Sequence, residues 1–210
     1  EPLIVTGHLS DSQGLDDPRP LDRALESGVD LVAITLLEAC FASTTRLVER
    51  IRNRSEACIA VGGAMATLAP VHVAAHMDVD LVVRGPGEDL LPMLARILAG
   101  GLDDQGQQTL LCMNGILMMT GDGLLAAHPG IVQETDPDGT PMDFSLLGPE
   151  HLQGGLSVET SRGCTNPCLF CTTPGRDRHR GRSAQAVSRR IRDYEHRLQE
   201  LFGRGVPRPA

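Results

Sequence analysis

Apolar and polar positions alternate in blocks along the first hundred residues. Residues 3–5, 31–37, 58–61 and 81–83 are short apolar runs of the kind made by strands buried on both faces. Between them, residues 21–27, 44–53, 71–77 and 90–98 place apolar side chains at helical spacing. In 44–53, Leu47, Val48 and Ile51 share one side while Arg46, Glu49, Arg50 and Arg52 take the other. Gly100 and Gly101 stop the last of these helices. Strand and helix in alternation predict an α/β fold, a doubly wound Rossmann-like unit with 31–37 as a central strand.

Past Gly101 the period changes. Residues 110–113 and 116–119 flank Asn114-Gly115, which predicts a hairpin closed by a tight type I′ turn. Residues 134–141, rich in Asp, Pro and Gly, read as a linker. A strand is expected at 155–160, then a loop over 161–171. A helix capped by Ser183 is expected to run to Phe202, with Val187, Ile191, Tyr194, Leu198 and Leu201 on its apolar side. The organisation expected is an α/β domain with a hairpin extension over 1–133, a linker over 134–154 and a second, partial domain over 155–210.

Composition narrows the function classes. Among 210 residues there are five aromatics and no Trp, too few for a surface that stacks single-stranded nucleic acid or glycans. No apolar stretch approaches the roughly 20 residues a bilayer-spanning helix needs. The sequence begins at Glu1 without a basic-then-apolar leader, so it reads as trimmed and without a secretion signal. Charge is uneven: residues 1–150 hold 8 Arg against 22 carboxylates and residues 151–210 hold 11 against 5. All cations are Arg, and a basic tail of this kind reads as a solvated face; no nucleic-acid or membrane partner is expected.

The six cysteines fall into two sets. Cys40, Cys58 and Cys112 stand singly in apolar contexts and read as small buried hydrophobes. Cys164, Cys168 and Cys171 lie within eight residues, C-T-N-P-C-L-F-C, on a Gly/Asn/Pro-containing loop. Three thiolates suit a cuboidal iron–sulfur cluster with one iron left open. A zinc site would need a fourth ligand, for which His179 is the poorly placed offer, and incidental cysteines are the third reading. Disulfides fit poorly because the cluster is odd in number and no leader marks export.

The spacing C-x3-C-x2-C with Phe170 just before the last Cys resembles the radical S-adenosylmethionine (SAM) enzymes. The resemblance implies a 4Fe-4S cluster held by Cys164, Cys168 and Cys171, SAM on the open iron, and Phe170 against its adenine. It further implies reductive cleavage of SAM to a deoxyadenosyl radical. S-R-G-C before the motif and G-R-S-A-Q-A-V after it extend the match over 156–205, with Arg182 and Ser183 opening the first barrel helix. Upstream, Val61-Gly62-Gly63 with residues 64–67, and residues 80–94, are similar to the cobalamin-binding domain of cobalamin-dependent radical SAM enzymes. That likeness implies a cobalamin lined by Thr35, Glu38, Gly62, Gly63, Thr67, Gly85, Gly87 and Glu88, at the carboxyl ends of the strands.

Two departures from that pattern stand out. Pro86 occupies the place of a Glu in R-G-E-G-E, removing a carboxylate and an N–H, and of D-x-H-x-x-G only His8 is kept. His72, His76, His128, His151 and His196 show no ligand spacing on this reading and are taken as surface or helix residues. Methylthiotransferases, which carry a second three-Cys cluster, would require Cys40, Cys58 and Cys112 at unrelated spacing and are the distant alternative.

Only 39 residues follow Cys171, against about 250 for a full eightfold barrel. The expectation is therefore the cofactor-binding front part of a radical methylating or related enzyme, unable to turn over alone. A second chain could then supply the rest of the barrel. Catalytic residues and the substrate, a small molecule or peptide, are not legible. The alternative is a non-catalytic corrinoid or cluster-binding module. The resemblance also implies a flavodoxin- or ferredoxin-type electron donor, and cluster lability implies a reducing, cytoplasmic setting.

Overall fold

The computed structural model describes residues 9–10, 14–15, 19–88, 90–99, 104–119, 125–127, 136, 138–139, 143–149, 158–166, 168–169, 171 and 179–203. Two compact units divide the chain, Gly7–Glu134 and Thr135–Ala210 together with Glu1–Thr6.

The first unit opens with a two-stranded antiparallel pair, β1 (Leu9–Ser10) and β2 (Gly14–Leu15), followed by α1 (Arg19–Glu26). Its main sheet joins β3 (Leu31–Thr35), β4 (Cys58–Gly62), β5 (Leu81–Val83), β6 (Ile116–Met119) and β7 (Leu125–Ala127) in that spatial order. β3, β4 and β5 are parallel, whereas β6 and β7 are each antiparallel to the preceding strand. The crossovers are α2 (Phe41–Arg52), then α3 (Ala64–Leu68) with α4 (Pro70–His76), then α5 (Leu90–Ala99) with α6 (Asp104–Leu111).

Alternation along the strands explains the layers. Ala60, Leu81, Val83, Ile116 and Met118 pack with Leu90 and Leu94 of α5 and Leu110 of α6. Ile59, Val61, Val82 and Leu117 point to the opposite face, where α3 and α4 lie against β4, β5 and β6. Val61, Leu94 and Leu110 are wholly buried, each such side chain contributing about 1.5–3 kcal/mol. The α/β class read from the sequence is therefore present, with helices on both faces.

Two expectations change. β4 takes the middle place among the three parallel strands, while β3 lies at an edge of the described sheet with Ala33 and Thr35 exposed. β3, β4 and β5 are neighbours in space in the order of the sequence. The hairpin at Asn114-Gly115 is absent. Residues up to Leu111 are helical, with Cys112 N–H donating to Gln108 O, and Gly115 (φ 80°) turns helix into strand. Positive φ was the right inference from Asn-Gly, but it serves a helix exit because Gln107–Leu111 can continue the ladder of α6. β6 instead pairs with β5 and β7.

At the amino ends of the parallel strands Arg52 acts as a staple. Its Nε donates to Asp78 O, its Nη1 to Ala57 O, both at 3.0 Å, and its Nη2 to the Asp80 carboxylate. Asp80 also accepts from Ile59 N–H at 2.7 Å.

In the second unit, β8 (Ser161–Arg162) pairs antiparallel with β9 (Arg180–Gly181), and α7 (Ala184–Phe202) follows. The expected strand at 155–160 is displaced: residues 158–160 are irregular, residues 155–157 lie outside the described residues, and pairing begins at Ser161. The helix is as expected, with Ser183 Oγ accepting from Ala186 N–H at 3.1 Å. Asp138 accepts from the Ser183 backbone N–H at 2.9 Å. Phe144 packs its ring 5.9 Å from that of Tyr194, and Arg197 donates to Ser145 O and Leu147 O. Part of the stretch read as a linker is thus bound to α7.

Candidate functional site

The carboxyl ends of β3, β4 and β5 carry loops that are hydrogen-bonded to one another. Leu36 N–H donates to Gly62 O at 2.8 Å, and Met65 N–H to Leu36 O at 3.3 Å. Thr67 Oγ1 donates to Gly63 O at 2.8 Å and accepts from Gly85 N–H at 3.0 Å. One hydroxyl therefore ties the loop after β4 to the loop after β5, and its only hydrogen is spent on Gly63.

Gly63 has no substitute here. With φ 95° and ψ −168° it occupies a region open in practice to Gly alone. An added Cβ would stand 2.9 Å from Leu36 O and 3.1 Å from Thr35 Cγ2. The close approach is what lets the Leu36 backbone bridge the first two loops.

The structure thus brings Thr35, Gly62, Gly63, Thr67 and Gly85 to one edge of the sheet. Thr35 is exposed there, and Gly85 has φ 92°. Glu38 begins the short 3-10 turn Glu38–Cys40 and is exposed. Gly87 O accepts from Leu91 N–H at 2.8 Å at the start of α5, with half-buried Pro86 and Glu88 beside it. Leu36 falls inside the 35–38 stretch read as lining, but it is fully buried and knits two loops through its backbone, a role that an apolar residue at a strand end does not announce in the sequence. His8 lies outside the described residues.

The isolated cysteines divide. Cys58 is half-buried, and burial followed by the nearby Asp80 charge pushes its thiol up to about 12, so it is protonated and inert. Cys40 is also half-buried, but Cys112 is exposed, contrary to the buried-hydrophobe reading. The reason is that Cys112 follows the last turn of α6, where its Sγ faces Gln108 Nε2 at 3.9 Å.

In the second unit the Cys loop is closed at its base by β8 and β9. Glu159 braces both ends: Arg162 Nε donates to its Oε1 at 2.8 Å, and Arg182 Nη2 to its Oε2. Burial alone would raise the Glu159 carboxyl, but the hydrogen bonds from Arg162 and Arg182 outweigh it and hold the group below the ordinary glutamate value. The Arg182 side chain is 1% exposed, and its Nε and Nη1 are buried with no hydrogen-bond partner among the described residues. Glu159 was not singled out from the sequence, although its i,i+3 spacing to Arg162 was visible.

Cys164, Cys168 and Cys171 are each half-buried on this loop. Asn166 N–H points at Cys164 Sγ from 3.4 Å, and Cys171 N–H donates to Cys168 O at 3.2 Å. Among the described residues no three His, Cys, Asp or Glu side chains gather on one metal ion. A single ion requires that convergence, whereas a cuboidal cluster gives each thiolate its own iron. The three donors singled out on the loop are all thiols, which is the donor chemistry of the second case. Phe170 lies outside the described residues, and His179 is exposed.

No helix among the described residues is long and apolar enough to cross a membrane.

Residues 8–95 match the B12 binding domain family. A hopanoid C-3 methylase of Methylococcus capsulatus is 29% identical over 135 residues, covering 60% of this chain and 24% of that protein. Among solved structures, the radical SAM methyltransferase TsrM of Kitasatospora setae, with cobalamin and a [4Fe-4S] cluster bound, superposes with a TM-score of 0.61. The two are 19% identical, over 89% of this chain and 39% of TsrM. The cobalamin-dependent SAM radical enzyme OxsB, with aqua-cobalamin and SAM bound, gives 0.60 at 19% identity over 88% of this chain and 26% of OxsB. The chain thus spans between about a quarter and two-fifths of the length of these relatives. The likeness to cobalamin-binding radical SAM enzymes inferred from the sequence is borne out for their N-terminal part, and the α/β fold class with it.

Proposed function

We propose that the chain is the cofactor-binding part of a cobalamin-dependent radical SAM enzyme that methylates, or otherwise transforms by radical chemistry, an unactivated position of a small molecule or peptide. The observation that carries this reading is the conjunction, in one chain, of a B12-binding segment and a braced three-thiol loop. Residues 1–133 then form the cobalamin domain and 155–210 the start of the radical SAM domain.

The loops after β3, β4 and β5 would offer backbone groups and small side chains to a corrin face. Thr35, Gly62, Gly63 and Gly85 leave a low rim, Gly87 and Glu88 extend it, and Glu38 stands at its exposed side. Thr67 acts on the rim from behind, by holding the Gly63 and Gly85 loops together. In the second unit Cys164, Cys168 and Cys171 would hold the cluster, with SAM at the open iron and Phe170 against its adenine. Glu159 fixes the loop base through Arg162 and Arg182. When bound, these groups supply a one-electron cleavage of SAM and a carrier for a methyl group. An electron donor of the flavodoxin or ferredoxin class, the remainder of a barrel and a reducing, cytoplasmic setting belong to the same proposal.

Two experiments test it. Anaerobic reconstitution with iron and sulfide should give a reduced-cluster paramagnetic resonance signal that changes on adding SAM and is lost in Cys168→Ala. Unaltered iron and sulfide incorporation in that variant would remove the cluster assignment. Hydroxocobalamin should change its visible spectrum on titration with the chain and raise the melting temperature of the α/β unit; an unchanged spectrum would remove the corrin assignment.

A further inference from the structure

The two imidazoles of α4 form a pair that neither region above uses. His72 and His76 are exposed and stand one helical turn apart, so their rings leave the same face. The ring centroids are 4.1 Å apart with planes tilted by 36°. The sequence reading passed over this pair, although His-x3-His inside a predicted helix was visible.

Their protonation is constrained by geometry. His76 Nδ1 lies 2.9 Å from the His72 carbonyl oxygen. A carbonyl only accepts, so Nδ1 carries the hydrogen and the neutral ring keeps its lone pair on Nε2. Histidines that bind metals commonly use this arrangement, one nitrogen ligating while the other donates to a backbone carbonyl. Phe41 of α2 lies 5.1 Å from the His72 ring and 6.4 Å from the His76 ring, which limits their rotation and the entropy lost on binding. His76 ends α4, where unpaired carbonyls favour a nearby cation.

We propose that His72 and His76 form a two-nitrogen chelate for a divalent transition-metal ion of the imidazole-preferring kind, zinc, nickel or copper. Histidines at i and i+4 on a helix have the spacing by which two imidazoles share one zinc. No third protein donor among the described residues joins them. Water or an external donor completes the coordination, and because both protein ligands are neutral the ion keeps its full charge for an anionic one.

The test uses Ni²⁺ as probe on the full chain with its reactive thiols alkylated. Substoichiometric Ni²⁺ should broaden the ring proton resonances of His72 and His76 together, ahead of the other histidines, and calorimetry should give one equivalent bound. His72→Ala and His76→Ala should each weaken Ni²⁺ binding by about tenfold or more with unchanged circular dichroism. Broadening spread evenly over all histidines, or affinity within about twofold of the parent in both variants, would overturn the proposal. The broadening pattern needs no variant, so it stands even where a substitution disturbs folding.

Discussion

At the residue scale, single atoms hold the candidate corrin rim. Thr67→Val keeps the shape of the side chain but removes one of the two donors to Gly63 O, the Thr67 backbone N–H staying in place, and leaves Gly85 N–H without the Thr67 hydroxyl as acceptor. The expected cost is about 1–2 kcal/mol, read by urea unfolding, together with weaker hydroxocobalamin binding in the same titration. Gly63→Ala should cost more, about 2–4 kcal/mol, because backbone strain adds to the overlap with Leu36. Gly28→Ala is the comparison: its φ is also positive, at 78°, but no atom lies within 4 Å of the added Cβ, so about 1 kcal/mol is expected. Thermal melts of the two variants side by side separate strain from overlap. Cys58 supplies a chemical check. With its thiol at about 12, roughly one molecule in 10⁴ is thiolate at pH 8. Mass spectrometry after brief alkylation should therefore find Cys112 modified and Cys58 untouched, and equal labelling would contradict the burial of Cys58.

At the scale of elements, the Glu159 brace ties β8 to the start of α7 and makes that unit sensitive to acid. The folded-state carboxyl lies below its ordinary value of 4.5, so the stabilisation is complete above about pH 4.5 and disappears as pH falls through the lowered value. Glu159 is 38% exposed, and solvent screening keeps the contribution to about 1 kcal/mol or less. Urea midpoints of the parent should drop between pH 6 and pH 3 by more than those of Glu159→Gln, and parallel slopes would contradict the brace. The elements also show what the sequence could and could not tell. Continuous apolar runs marked β4 and β5 closely because buried parallel strands admit little else, and Ser183 marked its helix because an N-cap is a local bond. The clamp from Thr67 to Gly85 spans 18 residues and leaves no local trace. Asn114-Gly115 misled because the same backbone angles close a hairpin or end a helix, and only the pairing of β6 with β5 decides between them. Asp138, read as part of a linker, caps α7 through a bond across 45 residues.

For the whole molecule, a ligand that binds only the folded α/β unit raises its stability by mass action. At a hydroxocobalamin concentration a hundredfold above the dissociation constant, about 2.7 kcal/mol is expected. Differential scanning calorimetry should show this as a shift confined to one transition, with the melting of the Cys-loop unit unmoved; a uniform shift would argue for non-specific binding.

The reversal of the last two strands carries a consequence for the path of the chain. β6 runs against β5, so Met119 emerges at the rim where Leu81 starts, and β7 runs back alongside, Ala127 reaching the level of Leu117. Two reversals cancel. β7 therefore runs, like β5, toward the side that holds Gly62 and Gly85, and with one strand more or fewer the last strand would run toward the side of the Arg52 staple. Parity of strand count, as much as any side chain, decides toward which rim the last described strand of the sheet runs.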